Sequence, residues 1–70
     1  MRYGVYKDGR RSAILIEYTI NETKAVSQCE DLARQERGSY CVVQLGVTVP
    51  DRIEYVDRFA PKVIYRAEGL

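Results

Sequence analysis

Histidine is missing from all 70 residues. Its absence excludes serine–histidine and cysteine–histidine nucleophile pairs, imidazole acid–base catalysis and most metal sites. Cys29 and Cys41 alone fall short of a zinc ligand set. No run of 18 apolar residues is present, so no membrane span is expected. The first residues carry no apolar signal stretch, which points to the cytoplasm. There is no GxGxxG and no phosphate loop, and Gly4, Gly9, Gly38, Gly46 and Gly69 are scattered at turn and cap positions. An excess of one charge is lacking too. A net charge of +1 gives no bulk pull toward nucleic acid. Repeats, low-complexity segments and linkers are also missing, so residues 1–70 are read as one small α+β domain. A chain this short buries only about 60% of the surface its unfolded form exposes.

What is present is organised around residues 21–38. Asn21 is placed to cap a helix. Ala25, Val26, Cys29, Leu32 and Ala33 recur at helical spacing as one apolar stripe. Glu22 in the first turn and Arg34 and Arg37 in the last suit the helix dipole, and Glu30 with Arg34 form an i, i+4 pair. Gly38 is expected to adopt the left-handed conformation that stops the helix.

The remaining chain reads as strands. Residues 2–6 alternate, and Asp8-Gly9 signals a hairpin with a type I′ turn. On the return strand, Ile14, Ile16, Tyr18 and Ile20 are the more apolar set and are assigned to the helix side, with Ala13, Leu15, Glu17 and Thr19 on the other. Residues 39–49 form a third strand with Cys41, Val43, Leu45 and Val47 inward and Tyr40, Val42 and Gln44 outward. Gly46 is a candidate bulge and Pro50-Asp51 a turn. Residues 53–59 fit either a strand or a helix, and their β-branched and aromatic content favours strand. Residues 63–66 form a last strand, followed by a frayed tail. The fold class is therefore α+β, one helix on one face of a four- to five-stranded, largely antiparallel sheet in the order ββαβββ. Cys29 and Cys41 read as two buried thiols, with a bridge between them as the alternative.

Charge is uneven. Residues 1–16 set Arg2, Lys7, Arg10 and Arg11 against Asp8, a net of +3, whereas residues 17–36 carry a net of −3. The carboxylates Glu17, Glu54 and Asp57 are read as solubilising rather than catalytic, so a non-enzymatic protein without cofactors is expected.

One helix covers one sheet face, and the outward sets are not polar. Leu15, Tyr40, Val42, Val56 and Ile64, interleaved with Arg58 and Arg66, form the expected partner-binding surface. The partner would be a protein, and the chain a monomer or a homodimer formed by pairing faces or edges. The rival is a nucleic-acid-binding module in which Lys7, Arg10 and Arg11 hold phosphates while Tyr40, Tyr55 and Tyr65 stack on bases.

The hairpin–helix–strand order resembles the β-grasp arrangement of ubiquitin-like domains. The ending Glu68-Gly69-Leu70 is not a conjugating di-glycine, so that resemblance implies no ubiquitin-like role. In size and element order the chain is also similar to small accessory proteins of phages and mobile elements, anti-CRISPR proteins among them. That resemblance implies a stoichiometric inhibitor occupying a functional surface of a host defence nucleoprotein complex, in the host cytoplasm, and transfers no functional residue.

Overall fold

The computed structural model describes residues 1–54 and 62–69. These form β1 (Arg2–Asp8), β2 (Ser12–Thr19), α1 (Glu22–Glu36), β3 (Ser39–Leu45), β4 (Arg52–Glu54) and β5 (Lys62–Glu68). The strands make one sheet in the order β4-β2-β1-β3-β5, and every neighbouring pair is antiparallel. The fold is α+β, with the expected ββαβββ order. Because β2 and β3 both oppose β1, they run parallel to each other, and α1 is the crossover joining them across β1.

The helix starts where the sequence places it. Asn21 Oδ1 accepts the Lys24 N–H at 3.0 Å, and Ala25, Cys29 and Ala33 are buried along the stripe, with Val26 and Leu32 packed at its margins. Two local expectations are corrected. Arg37, not Gly38, takes the left-handed position, with φ 50° and ψ 41°. Arg34 pairs with Asp31 at 3.2 Å rather than with Glu30, because the Glu30 carboxylate accepts the Tyr65 hydroxyl at 2.8 Å. The hairpin also departs from a type I′ turn. The Gly9 N–H donates to the Ser12 carbonyl at 2.9 Å, which puts Arg10 and Arg11 at the tip, and none of these residues has positive φ. The expected tail is ordered as far as Gly69. Strand β5 runs to Glu68, and the Gly69 N–H donates to the Gly38 carbonyl at 2.7 Å. A Cβ on Gly69 would lie 2.5 Å from the Ala33 carbonyl oxygen, so only glycine permits this approach.

The sheet has a core on each face. Under α1, Val5, Tyr40 and Val42 pack with Ala25, Cys29 and Ala33. On the opposite face Tyr6, Ala13, Cys41, Val43 and Ile53 form a second buried cluster flanked by Leu15 and Leu45. This overturns the assignment of β3, since Tyr40 and Val42 face the helix and Cys41, Val43 and Leu45 face away. The register fixes it: Val42 stands opposite Val5, while Cys41 stands opposite Tyr6. Cys29 and Cys41 are free and belong to clusters on opposite faces, so no bridge links them.

The second cluster is closed in part by the connection after β3, which ends at Leu45 rather than continuing to Val49. The Tyr6 hydroxyl donates to the Pro50 carbonyl at 2.6 Å, and Arg2 Nη1 donates to the Val47 carbonyl at 3.0 Å. The Tyr6 ring lies back over Gly4, where a Cβ would meet it at 2.5 Å. Bulges occur between Val5 and Tyr6 in the β1–β2 ladder and between Val42 and Val43 in the β3–β5 ladder, not at Gly46. The strand expected at 53–59 is observed as Arg52–Glu54, and residues 55–59 lie outside the described residues.

Candidate interaction surface

The expected partner-binding residues do not come together. Tyr40 and Val42 are fully buried beneath α1. Leu15 packs at the margin of the opposite cluster, and Ile64, at the β5 bulge, packs against the helix-side cluster. Arg66 donates to Asp8 Oδ2 at 3.1 Å. Val56 and Arg58 lie outside the described residues. The premise of an uncovered apolar face is therefore corrected, because that face carries the second core.

The basic residues proposed for phosphate are gathered, since Lys7, Arg10 and Arg11 are exposed at one end of the hairpin. Their aromatic companions are not. Tyr40 is buried with its hydroxyl on Glu36 at 2.9 Å, Tyr65 is tied to Glu30, and Tyr55 is outside the described residues. Of the carboxylates, Glu54 stands opposite Ser12 and Glu17 opposite Val5, five positions apart along β2, or roughly 16 Å. Asp57 is not among the described residues.

Perturbed ionisations fall on groups that are buried or hydrogen-bonded within the fold. Burial, followed by the charge of Asp51, pushes the Tyr6 hydroxyl up to about 12. Burial, followed by the charge of Asp8, pushes the Cys41 thiol up to about 12. The Tyr65 hydroxyl is raised by its hydrogen bond to Glu30. Asp8 ties three strands together: its carboxylate accepts from Ser39 Oγ at 3.1 Å and from Arg66, with Cys41 Sγ at 3.7 Å. Between α1 and β5 lies a shallow groove of about 190 Å³, lined by Glu30, Ala33, Arg34, Tyr65, Ala67 and Glu68. One of its two carboxylates, Glu30, accepts the Tyr65 hydroxyl, and the groove is open to water.

The distinctive surface lies along β2, where the sequence expected core. Ile14 and Ile16 are each 44% exposed, Tyr18 56% and Ile20 79%. Helix α1 packs mainly over β1, β3 and β5, which leaves β2 at its margin. The bulge opposite Val5 and Tyr6 changes the alternation, so that Leu15 pairs with Tyr6 while Tyr18 pairs with Gly4. Tyr18, opposite Gly4, and Ile20 two residues on thus fall beyond the second core on the face opposite the helix, while Ile16 is the bulged residue between them and Leu15.

The outer side of the same stretch is open. Strand β4 pairs only with Ser12, Ala13 and Ile14, and one further bond runs from the Leu15 N–H to the Asp51 carbonyl at 2.8 Å. The next residue in that register, opposite Ile16, is Pro50, which has no N–H to continue the ladder. Beyond it, residues 16–20 have no strand on their outer side among the described residues. Proline at 50 was the readable signal for this edge. The bulge had none.

No family model, curated protein or solved structure matches the chain.

Proposed function

We propose that this chain is a non-enzymatic protein-binding module that receives an extended segment along the outer side of β2. The observation that carries this reading is the run at residues 16–20, where an outer side with no strand paired to it among the described residues and the exposed side chains of Ile16, Tyr18 and Ile20 coincide. An unpaired strand supplies main-chain donors and acceptors for an added strand, while alternate side chains supply specificity. Acting by occupancy is also how a stoichiometric inhibitor of the phage-accessory kind would work.

The test is selection of displayed random peptides on the immobilised chain. Retained peptides should alternate apolar residues, and their affinity should drop at least about tenfold, or 1.4 kcal/mol, for Ile16→Lys and Tyr18→Lys. Both positions are exposed, so the variants should melt like the parent. Peptides held equally well by both variants would remove the β2 edge as the site.

A further inference from the structure

We infer that the segment received by the β2 edge is the β2 edge of a second copy, paired antiparallel about a two-fold axis through Tyr18. This rests on the protein-binding reading above and names its partner.

The two sheet edges differ in how they are protected. The β5 edge carries Lys62, Arg66 and Glu68 within seven residues, the charge pattern that discourages strand addition. The run at residues 16–20 of β2, Ile-Glu-Tyr-Thr-Ile, carries one charge, no glycine and no proline, and four of its five residues are β-branched or aromatic. It is the edge that invites pairing.

Geometry then selects the mate and the register. Two identical antiparallel strands in one sheet are related by an axis perpendicular to it, so one residue must face its own copy. Only Glu17 and Tyr18 are central enough. Centring on Glu17 sets two carboxylates face to face, which is destabilising. It also enlists Leu15, whose N–H is already given to Asp51. Centring on Tyr18 uses residues 16–20 of both copies and no others. Tyr18 then meets Tyr18 of the mate, with Ile16 against Ile20 on either side of it. On the other face Glu17 meets Thr19. The Thr19 oxygen accepts the Asn21 N–H at 3.2 Å, which leaves the hydroxyl proton free to donate to the mate's carboxylate. The run therefore complements itself in both shape and charge. The interface is short, so the dimer should be concentration-dependent.

Sedimentation equilibrium over a range of protein concentrations tests this. The average mass should rise from one chain toward two for the parent and stay at one chain for Tyr18→Lys. Val63→Lys, on the opposite edge, should dimerise like the parent. Tyr18→Cys should form a disulfide-linked dimer under oxidised glutathione, because paired residues in antiparallel strands lie within bridging distance. Cys29 and Cys41 are buried and do not compete. A parent that stays monomeric throughout, or a Tyr18→Lys variant that still dimerises, overturns self-pairing. A monomeric parent that still holds strand-like peptides through Ile16 and Tyr18 removes the second copy as partner and leaves the protein-binding reading standing.

Discussion

The two faces of the sheet are built from nearly the same parts and closed in different ways. Each has one fully buried tyrosine, one buried free cysteine and a set of small aliphatics. On the helix side, Tyr40 sits under a regular element whose own carboxylate, Glu36, takes its hydroxyl. On the other side, Tyr6 is fixed by the carbonyl of Pro50, in a connection with no regular structure of its own. A helix satisfies its own backbone and needs only a stripe of small residues to sit close to a sheet, which Ala25, Cys29 and Ala33 provide. Among the described residues no helix lies over the opposite face, where a large side chain fills the space and also holds the cover in place. Tyr6 does both, and the cover then ends at Pro50, which leaves the β2 edge free. The closure of the second core and the open edge share one cause.

The strongest way to break this comparison is to remove the tyrosine. Tyr6→Ala should cost about 3–5 kcal/mol, most of the stability of a domain this size. Val42→Ala, at the matching depth under the helix, should cost roughly 1–3 kcal/mol, as a smaller deletion. Urea denaturation reads both. If Tyr6→Ala unfolds at the same urea concentration as the parent, the second cluster is not a core.

Alkaline pH acts on the same face by ionisation. The Tyr6 hydroxyl and the Cys41 thiol ionise near pH 12 in the folded chain, against 10.0 and 9.0 for the free groups. The unfolded chain therefore releases these protons first. Their contribution is fully present below the unfolded values and is lost as pH rises toward the folded ones. Thermal melts should show stability falling from about pH 9 to about pH 12, at up to about 1.4 kcal/mol per pH unit for each group. Cys41→Ala should flatten the first part of that fall. An unchanged slope in the variant would assign the alkaline loss to other groups.

Deleting only the hydroxyls sharpens the contrast between the two covers. Tyr6→Phe leaves the Pro50 carbonyl without its donor in a part-buried place and should cost about 1–2 kcal/mol. Tyr40→Phe releases Glu36, an exposed side chain that water can serve, and should cost about 0.5–1 kcal/mol. Equal losses would mean that Pro50 regains a partner when Tyr6 lets go.

The sequence carried the helix, its cap and its buried stripe, because spacing and an N-cap residue are local signals. It carried the element order for the same reason. Which face each strand presents to α1 was not legible. In β3 both alternating sets are apolar, Cys41, Val43 and Leu45 against Tyr40 and Val42, so hydrophobicity alone cannot choose between them. Pairing with Val5 decides, and that is a long-range contact. In β2 Ile14, opposite Lys7, does stand on the helix side, but Tyr18 and Ile20 point the other way, because a bulge at Ile16 resets the alternation and the helix sits mainly over the other strands. The expected surface failed for the same reason as the expected core, since one was defined as the complement of the other. The edge that replaced it follows from β4 beginning only at Arg52, which Pro50 announces and nothing else in the chain does.

The smallest expected effect concerns the ion pairs. Arg34 and Asp31 are 73% and 56% exposed, so their attraction is screened by water. Arg34→Ala should change stability by no more than about 0.5 kcal/mol. The pair of Arg66 with Asp8 looks alike in distance, 3.1 Å against 3.2 Å, but the Asp8 side chain is only 9% exposed and also accepts from Ser39. Surroundings rather than separation set the difference between the two pairs. Arg34 also borders the groove beside Tyr65, so a loss well above 0.5 kcal/mol in urea would mean that its stem packs against that ring and helps hold α1 to β5.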